Sequence, residues 1–231
     1  GRGILPVVGE DLGPPQAYGW DRLFVSLGDV PGIDALAAAG HPVVKIDYNR
    51  PTDLGGEFYR WEFAIAVAGY ILGINPFDQP NVAQAKEATK AILDSGKVQD
   101  PGTDDLKTLI DSIQPGNYVA ILAYLDRTAE TESALQEVRL KIRDEHKVAT
   151  TVGFGPRYLH STGQLHKGGP DTGIFIQVVD PDMGEDLAIP HATYSFGDLI
   201  SAQALGDYRS LQQAGRRVAR VTLEQLQEVM S

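Results

Sequence analysis

The sequence predicts an α/β fold in three layers, a mainly parallel sheet flanked by helices. Three observations predict it. Short β-rich apolar runs alternate with longer helix-periodic stretches. One run, YVAILAYL at 118–125, is apolar without interruption, as in a strand covered on both faces. Glycine and proline punctuate the alternation at Gly40, Gly73, Pro115-Gly116 and Gly155-Pro156.

Taken in order, residues 4–8 and 23–27 read as short buried strands. Residues 33–39 read as a short helix ended by Gly40, and 42–46 as the next strand. A long helix follows at 57–72, with Phe58, Trp61, Phe63, Ile65 and Ala68 directed at the sheet and Gly73 as its stop. Residues 81–93 form a second long helix, closed by Ser95-Gly96. A third covers 104–113, before Pro115-Gly116. The strand at 118–125 leads into an amphipathic helix at 128–146 with charged outer positions. Strands then fall at 149–154 and 173–179, a helix at 196–213, a last strand at 217–223 and a short helix at 224–230. The segment 97–103 is the best linker candidate. The whole reads as a single domain with a C-terminal extension from about residue 114. In open α/β sheets ligands sit beyond the carboxyl ends of strands. That nominates the loops after Val8, Leu27, Ile46, Leu125, Phe154 and Val179.

Composition narrows the functions. The 231 residues are 42% apolar and 22% charged, enough for a substantial core. A net charge of −11 makes nucleic acid a poor partner. It leaves room for a small anion in a locally basic pocket. With no cysteine there is no disulfide, thiol nucleophile or thiolate metal site. No run of about 18 apolar residues and no signal segment is present. The expectation is a soluble cytoplasmic chain with no membrane partner. The chain opens Gly1-Arg2-Gly3 and its first methionine is Met183, so it reads as a piece of a longer protein.

The most informative stretch is NPFDQPNVAQAK, residues 75–86. Pro76 and Pro80 fix the backbone, which holds Asp78 and Gln79, and Asp78 is placed to cap the next helix. Lys86 lies about two turns beyond Gln79 and points either along the helix or into water. Glu10 follows a strand-like run, a position suited to a catalytic carboxylate, but reads first as a solvated loop acid. Glu62 reads as structural. The segment 157–167 carries Arg157, His160, Ser161, Thr162, Gln164, His166 and Lys167, groups suited to an anionic sugar. It reads equally as a polar helix packed at the domain seam. No third ligand at metal spacing accompanies His160 and His166.

Residues 69–86, GYILGINPFDQPNVAQAK, resemble the C-terminal signature of glucose-6-phosphate isomerases. Gly69, Ile71, Leu72, Phe77, Asp78, Gln79, Val82 and Lys86 match it in register. Asn81 and Ala83 depart from its usual glycine and glutamate. GPRYLHSTGQLHKGGP at 155–170 is similar to the C-terminal extension of bifunctional transaldolase/glucose-6-phosphate isomerase fusions. So are GRGILPVVGEDLG at the front and LISAQALGDYRSLQQAGRRVARV at 199–221.

The resemblance implies a sugar-isomerase (SIS) fold and an aldose–ketose isomerase. Such an enzyme opens the sugar ring and moves a proton between C2 and C1 through a cis-enediol, without metal or cofactor. It implies Lys86 as the catalytic residue and Gln79 as substrate-binding, with Arg157, His160, His166 and Lys167 added from the polar segment. The implied partners are a sugar phosphate and the upstream SIS and transaldolase domains. The family's base glutamate, phosphate loop and Schiff-base lysine are not found in this chain. Nor is there a histidine between Glu10 and Trp20, where many members carry one. Such a piece is expected to be inactive alone. The rival reading is a non-catalytic sugar-phosphate-binding or assembly module on the same fold.

Overall fold

Residues 118–124 form the centre of the molecule's main sheet, and their composition is why. In the computed structural model, which describes residues 2–95, 104–181 and 186–231, this strand (β3, Tyr118–Tyr124) is buried along its whole length. The chain divides into two compact units. The larger comprises Gly3–Glu10 and Gln79–Ser231, the smaller Arg2 and Asp11–Asp78.

In the larger unit β3 lies between β4 (Ala149–Phe154) and β5 (Gly173–Val179), and β6 (Arg217–Val221) closes the far edge. All pairings are parallel. Helices cover both faces. Side chains along a strand alternate between faces. Val119, Ile121 and Ala123 meet Leu135, Val138 and Ile142 of α5 (Ala129–His146), with α4 (Leu106–Asp111) and α8 (Leu223–Met230) beside it. Ala120, Leu122 and Tyr124 meet Ala204 and Leu211 of α7 (Phe196–Gln213) on the other face. On the outer side of α7 packs α3 (Pro80–Asp94). The approach is close: a Cβ on Gly206 would stand 2.8 Å from Thr89 Oγ1 and 3.1 Å from Thr89 N. Gly206 therefore sets how near α3, and with it Lys86, can lie.

The smaller unit is a βαβ pair. Strands β1 (Phe24–Leu27) and β2 (Val43–Ile46) run parallel, joined through α1 (Ile33–Ala38). Ala17, Tyr18, Ile33 and Leu36 form its core. Gly40 stops α1 at φ 94°, a backbone conformation that suits glycine. The long helix α2 (Leu54–Leu72) ends as expected at Gly73 in the left-handed region.

The α/β class and most elements stand where the sequence placed them. Three details differ, and one expectation is not tested. Residues 4–8 are extended but pair with no strand; Leu5 and Val7 pack on the core beneath while Ile4 and Val8 face out. The last strand stops at Val221, because Thr222 accepts from the Gln225 amide and Gln225 from the Thr222 amide. That reciprocal cap starts α8 at Leu223. The linker at 97–103 lies outside the described residues. Finally, α2 does not lay its aromatic residues on a sheet: Phe58, Trp61, Phe63 and Ile65 are all exposed. Its unit offers only two four-residue strands, too little surface to cover the apolar residues of a 19-residue helix.

Candidate functional site

The signature segment ends on α3, and the helix start explains its geometry. Pro80 occupies the first helical position, where the missing amide costs nothing. Gln79 is the N-cap, yet its side chain makes no capping bond. Gln79 stands just before α3 with a non-helical backbone (φ −133°, ψ 60°), and Lys86 lies about two turns along the helix. Both are exposed, and among the described residues Lys86 forms no ion pair.

The polar segment 157–167 splits into an outer and an inner set. A 3-10 turn, Arg157–His160, follows β4. Residues three apart eclipse in such a turn, so Arg157 and His160 project together, and both are exposed. Tyr158 between them is buried. Helix α6 (Gly163–Gly168) follows, with His166 and Lys167 on its inner side. The sequence offered both as substrate contacts; the fold turns both inward.

What they meet inside is a polar chain that no local pattern announced. Lys167 Nζ donates to Asp207 Oδ1 of α7 at 2.5 Å. The other carboxylate oxygen accepts from Tyr158 Oη, and the Tyr158 and Tyr124 hydroxyls lie 3.4 Å apart. Burial first, and the Asp207 charge second, raise the Tyr158 and Tyr124 phenols well above their ordinary range, so both stay protonated. His166 Nδ1 lies 3.1 Å from Tyr118 Oη. Desolvation, helped by the Lys167 charge, pushes the imidazole down to about 3. The Tyr118 phenol is raised by burial, so it keeps its proton beside the neutral ring.

This has a pH consequence. The unfolded histidine takes a proton near pH 6.5, while the folded one does so only near 3. Between those values the unfolded state binds more protons, so stability falls as pH falls through that window. From pH 7 to pH 5 the loss is about 2 kcal/mol. Urea midpoints measured across this range will fall less steeply in His166→Gln than in the unaltered protein. Equal slopes would show that His166 is not buried neutral.

Glu10 is not a solvated loop acid. Its side chain is 8% exposed. It lies 3.4 Å from Arg143 Nη1 and 3.8 Å from Arg139 Nε, and it accepts from Thr150 Oγ1 at 3.0 Å. Arg139 also donates to the Val8 carbonyl at 2.9 Å, and Gln136 donates to that of Gly9 at 2.6 Å. These bonds fasten the N-terminal strap to α5 and β4, and the sequence separations of about 130 residues hid them. Glu62 is exposed, on the polar edge of α2.

A groove of about 570 Å³ runs along the outer edge of β6, lined among others by Asp104, Thr108, Arg216 and Val218. None of the residues nominated from sequence lines it. Among the described residues no group of three or more side chains is placed to hold a metal, and no helix is long and apolar enough to cross a membrane.

No protein-family model matches the chain. The glucose-6-phosphate isomerase of Clostridium perfringens strain 13 is 36% identical over 96 residues, 42% of this chain and 18% of that protein. The glucose-6-phosphate isomerase of Streptococcus equi subsp. zooepidemicus is 35% identical over 114 residues, 47% of this chain and 24% of that one. That of Heliobacterium modesticaldum is 37% identical over 73 residues, covering 32% and 15%. The chain thus spans between 15% and 24% of the length of these relatives. A solved structure, hypothetical protein TT0462 from Thermus thermophilus, covers 90% of this chain and 75% of its own at 14% identity, with a TM-score of 0.46. On the sequence matches, the chain contains a glucose-6-phosphate-isomerase-like region.

Proposed function

We propose that this chain is the C-terminal portion of a glucose-6-phosphate isomerase of the transaldolase-fusion type, acting in the cytoplasm on glucose 6-phosphate and fructose 6-phosphate. One observation carries the reading. In a chain similar to glucose-6-phosphate isomerases, Gln79 at the start of α3 and Lys86 two turns along it are both exposed, with neither side chain engaged in the fold among the described residues.

The chemistry follows from the charges. Moving a proton between C2 and C1 passes through an enediolate, whose oxygen carries developing negative charge. A fixed ammonium beside that oxygen lowers the barrier. Lys86 supplies it, and Gln79 offers donors and an acceptor to the sugar hydroxyls. Arg157 and His160 are the next residues placed to meet substrate. His166 and Lys167 act from inside, holding the segment that carries them.

The proton itself needs a base within hydrogen-bond reach of C2. Glu10 does not fit, because two guanidinium groups and a hydroxyl already hold its carboxylate. The reading assigns the base to the upstream SIS domain that the resemblance implies. The exposed α2 supports such a partner. Its exposed aromatic and aliphatic surface is of the kind that another domain covers.

Purified chain and full-length protein, assayed side by side on fructose 6-phosphate, test this. Loss of a positioned acid–base group costs about 10²–10⁴-fold, so the chain alone will show no useful turnover while the full-length protein isomerises. Robust turnover by the chain would place the base within it.

A further inference from the structure

The start of α3 is capped from a distance. An α-helix leaves its first amides without partners, and the N-cap side chain normally serves one of them. Gln79 does not do so here. Gln164 of α6 does it instead. Its Oε1 accepts from the Asn81 amide at 2.9 Å, and its Nε2 donates to Asn81 Oδ1 at 2.8 Å. One side-chain amide thus grips both the backbone and the side chain of residue 81, across 83 positions of sequence.

Two further features fit this pairing. A Cβ on Gly168 would stand 2.4 Å from Gln164 Nε2 and 2.8 Å from Asn81 Oδ1, so the pair needs a residue without a side chain there. On the same short helix, Lys167 and His166 are anchored to Asp207 and Tyr118. The buried anchors fix α6, α6 fixes Gln164, and Gln164 fixes the first turn of α3.

We propose that Gln164 is a positioning residue for Gln79, an inference that rests on the isomerase reading above. By taking over the cap, it releases the Gln79 amide for the sugar. Without Gln164 the vacant Asn81 amide competes for the Gln79 side chain. Gln79 then turns back onto its own helix and is lost to substrate.

The test is steady-state kinetics of the full-length protein on fructose 6-phosphate. Gln164→Ala and Gly168→Ala should each raise KM about 10-fold with kcat within about 3-fold, the pattern of lost binding rather than lost chemistry. Gln164→Glu keeps an acceptor for the Asn81 amide, and the Asn81 side-chain amide can rotate to donate to it. Its KM should stay near that of the unaltered protein. The decisive comparison is a double-mutant cycle. If Gln164 acts through Gln79, adding Gln164→Ala to Gln79→Ala raises KM no further. An equal increase in both backgrounds would overturn the proposal, and so would unchanged KM in Gln164→Ala. Lys86→Ala run alongside separates the two levels. If the unaltered protein does not isomerise fructose 6-phosphate, the isomerase reading fails; if Lys86→Ala leaves isomerisation intact, the Lys86 assignment fails; if it abolishes turnover while Gln164→Ala is silent, only the positioning role fails.

Discussion

Lys86→Ala in the full-length protein will lower isomerase turnover about 10²–10⁴-fold and leave transaldolase turnover unchanged. The size follows from what the ammonium does. On the proposed reading its attraction to the substrate grows as the enediolate forms, so its loss falls mainly on kcat. The change is local: Lys86 is exposed on α3, so alanine removes a charge without opening a cavity, and alanine favours the helix. The melting temperature should therefore hold while turnover collapses. Lys86→Arg retains charge but alters shape and donor geometry, and should recover only part of the rate. Coupled assays of both activities on one preparation check all of this. An isomerase rate within about 2-fold of the unaltered protein in Lys86→Ala would remove the assignment.

Asp207→Ala will destabilise the fold by about 3–5 kcal/mol. Asp207 and Lys167 are 1% and 3% exposed at the side chain. Removing the carboxylate leaves an ammonium buried without its counter-charge and takes the acceptor from Tyr158. Domains of this kind hold only about 5–15 kcal/mol in total, so the variant will sit near the edge of folding at 37 °C. Buried pairs are more costly to break than to replace. The double change Asp207→Leu with Lys167→Met should therefore recover much of the loss. Urea unfolding at pH 7 reads both variants. An unchanged midpoint in Asp207→Ala, or a double variant no better than the single, would contradict the burial of this pair.

How far the fold was legible depended on the range over which its causes act. β3 could be read because seven consecutive positions are buried, and a strand covered on both faces must be apolar throughout. α5 and α7 could be read because a 3.6-residue period and a cap are local. Thr128 accepts from the Thr131 amide and Ser195 from that of Asp198. The exposed faces of α2 were misread because apolar content says that a helix is buried, not by what. Glu10 was misjudged for the opposite reason. A carboxylate after a strand-like run looks solvated until Arg139 and Arg143 arrive from a distant helix.

The same divide runs through the candidate site. Gln79 and Lys86 were nominated because their segment carries a signature. Arg157 and His160 were visible as polar groups after a strand. That His166 and Lys167 turn inward was not, because Tyr118 and Asp207 lie on β3 and α7, 48 and 40 residues away. The grip of Gln164 on Asn81 was hidden likewise. A glutamine in a polar helix has no local mark of a cap.

The most direct test of the account is a crystal structure of the full-length protein with fructose 6-phosphate bound. The account predicts the Lys86 ammonium and the Gln79 side-chain amide within about 3.2 Å of sugar oxygens, with a glutamate from the upstream domain beside C2. A sugar bound elsewhere, with Lys86 left in open solvent, would contradict it.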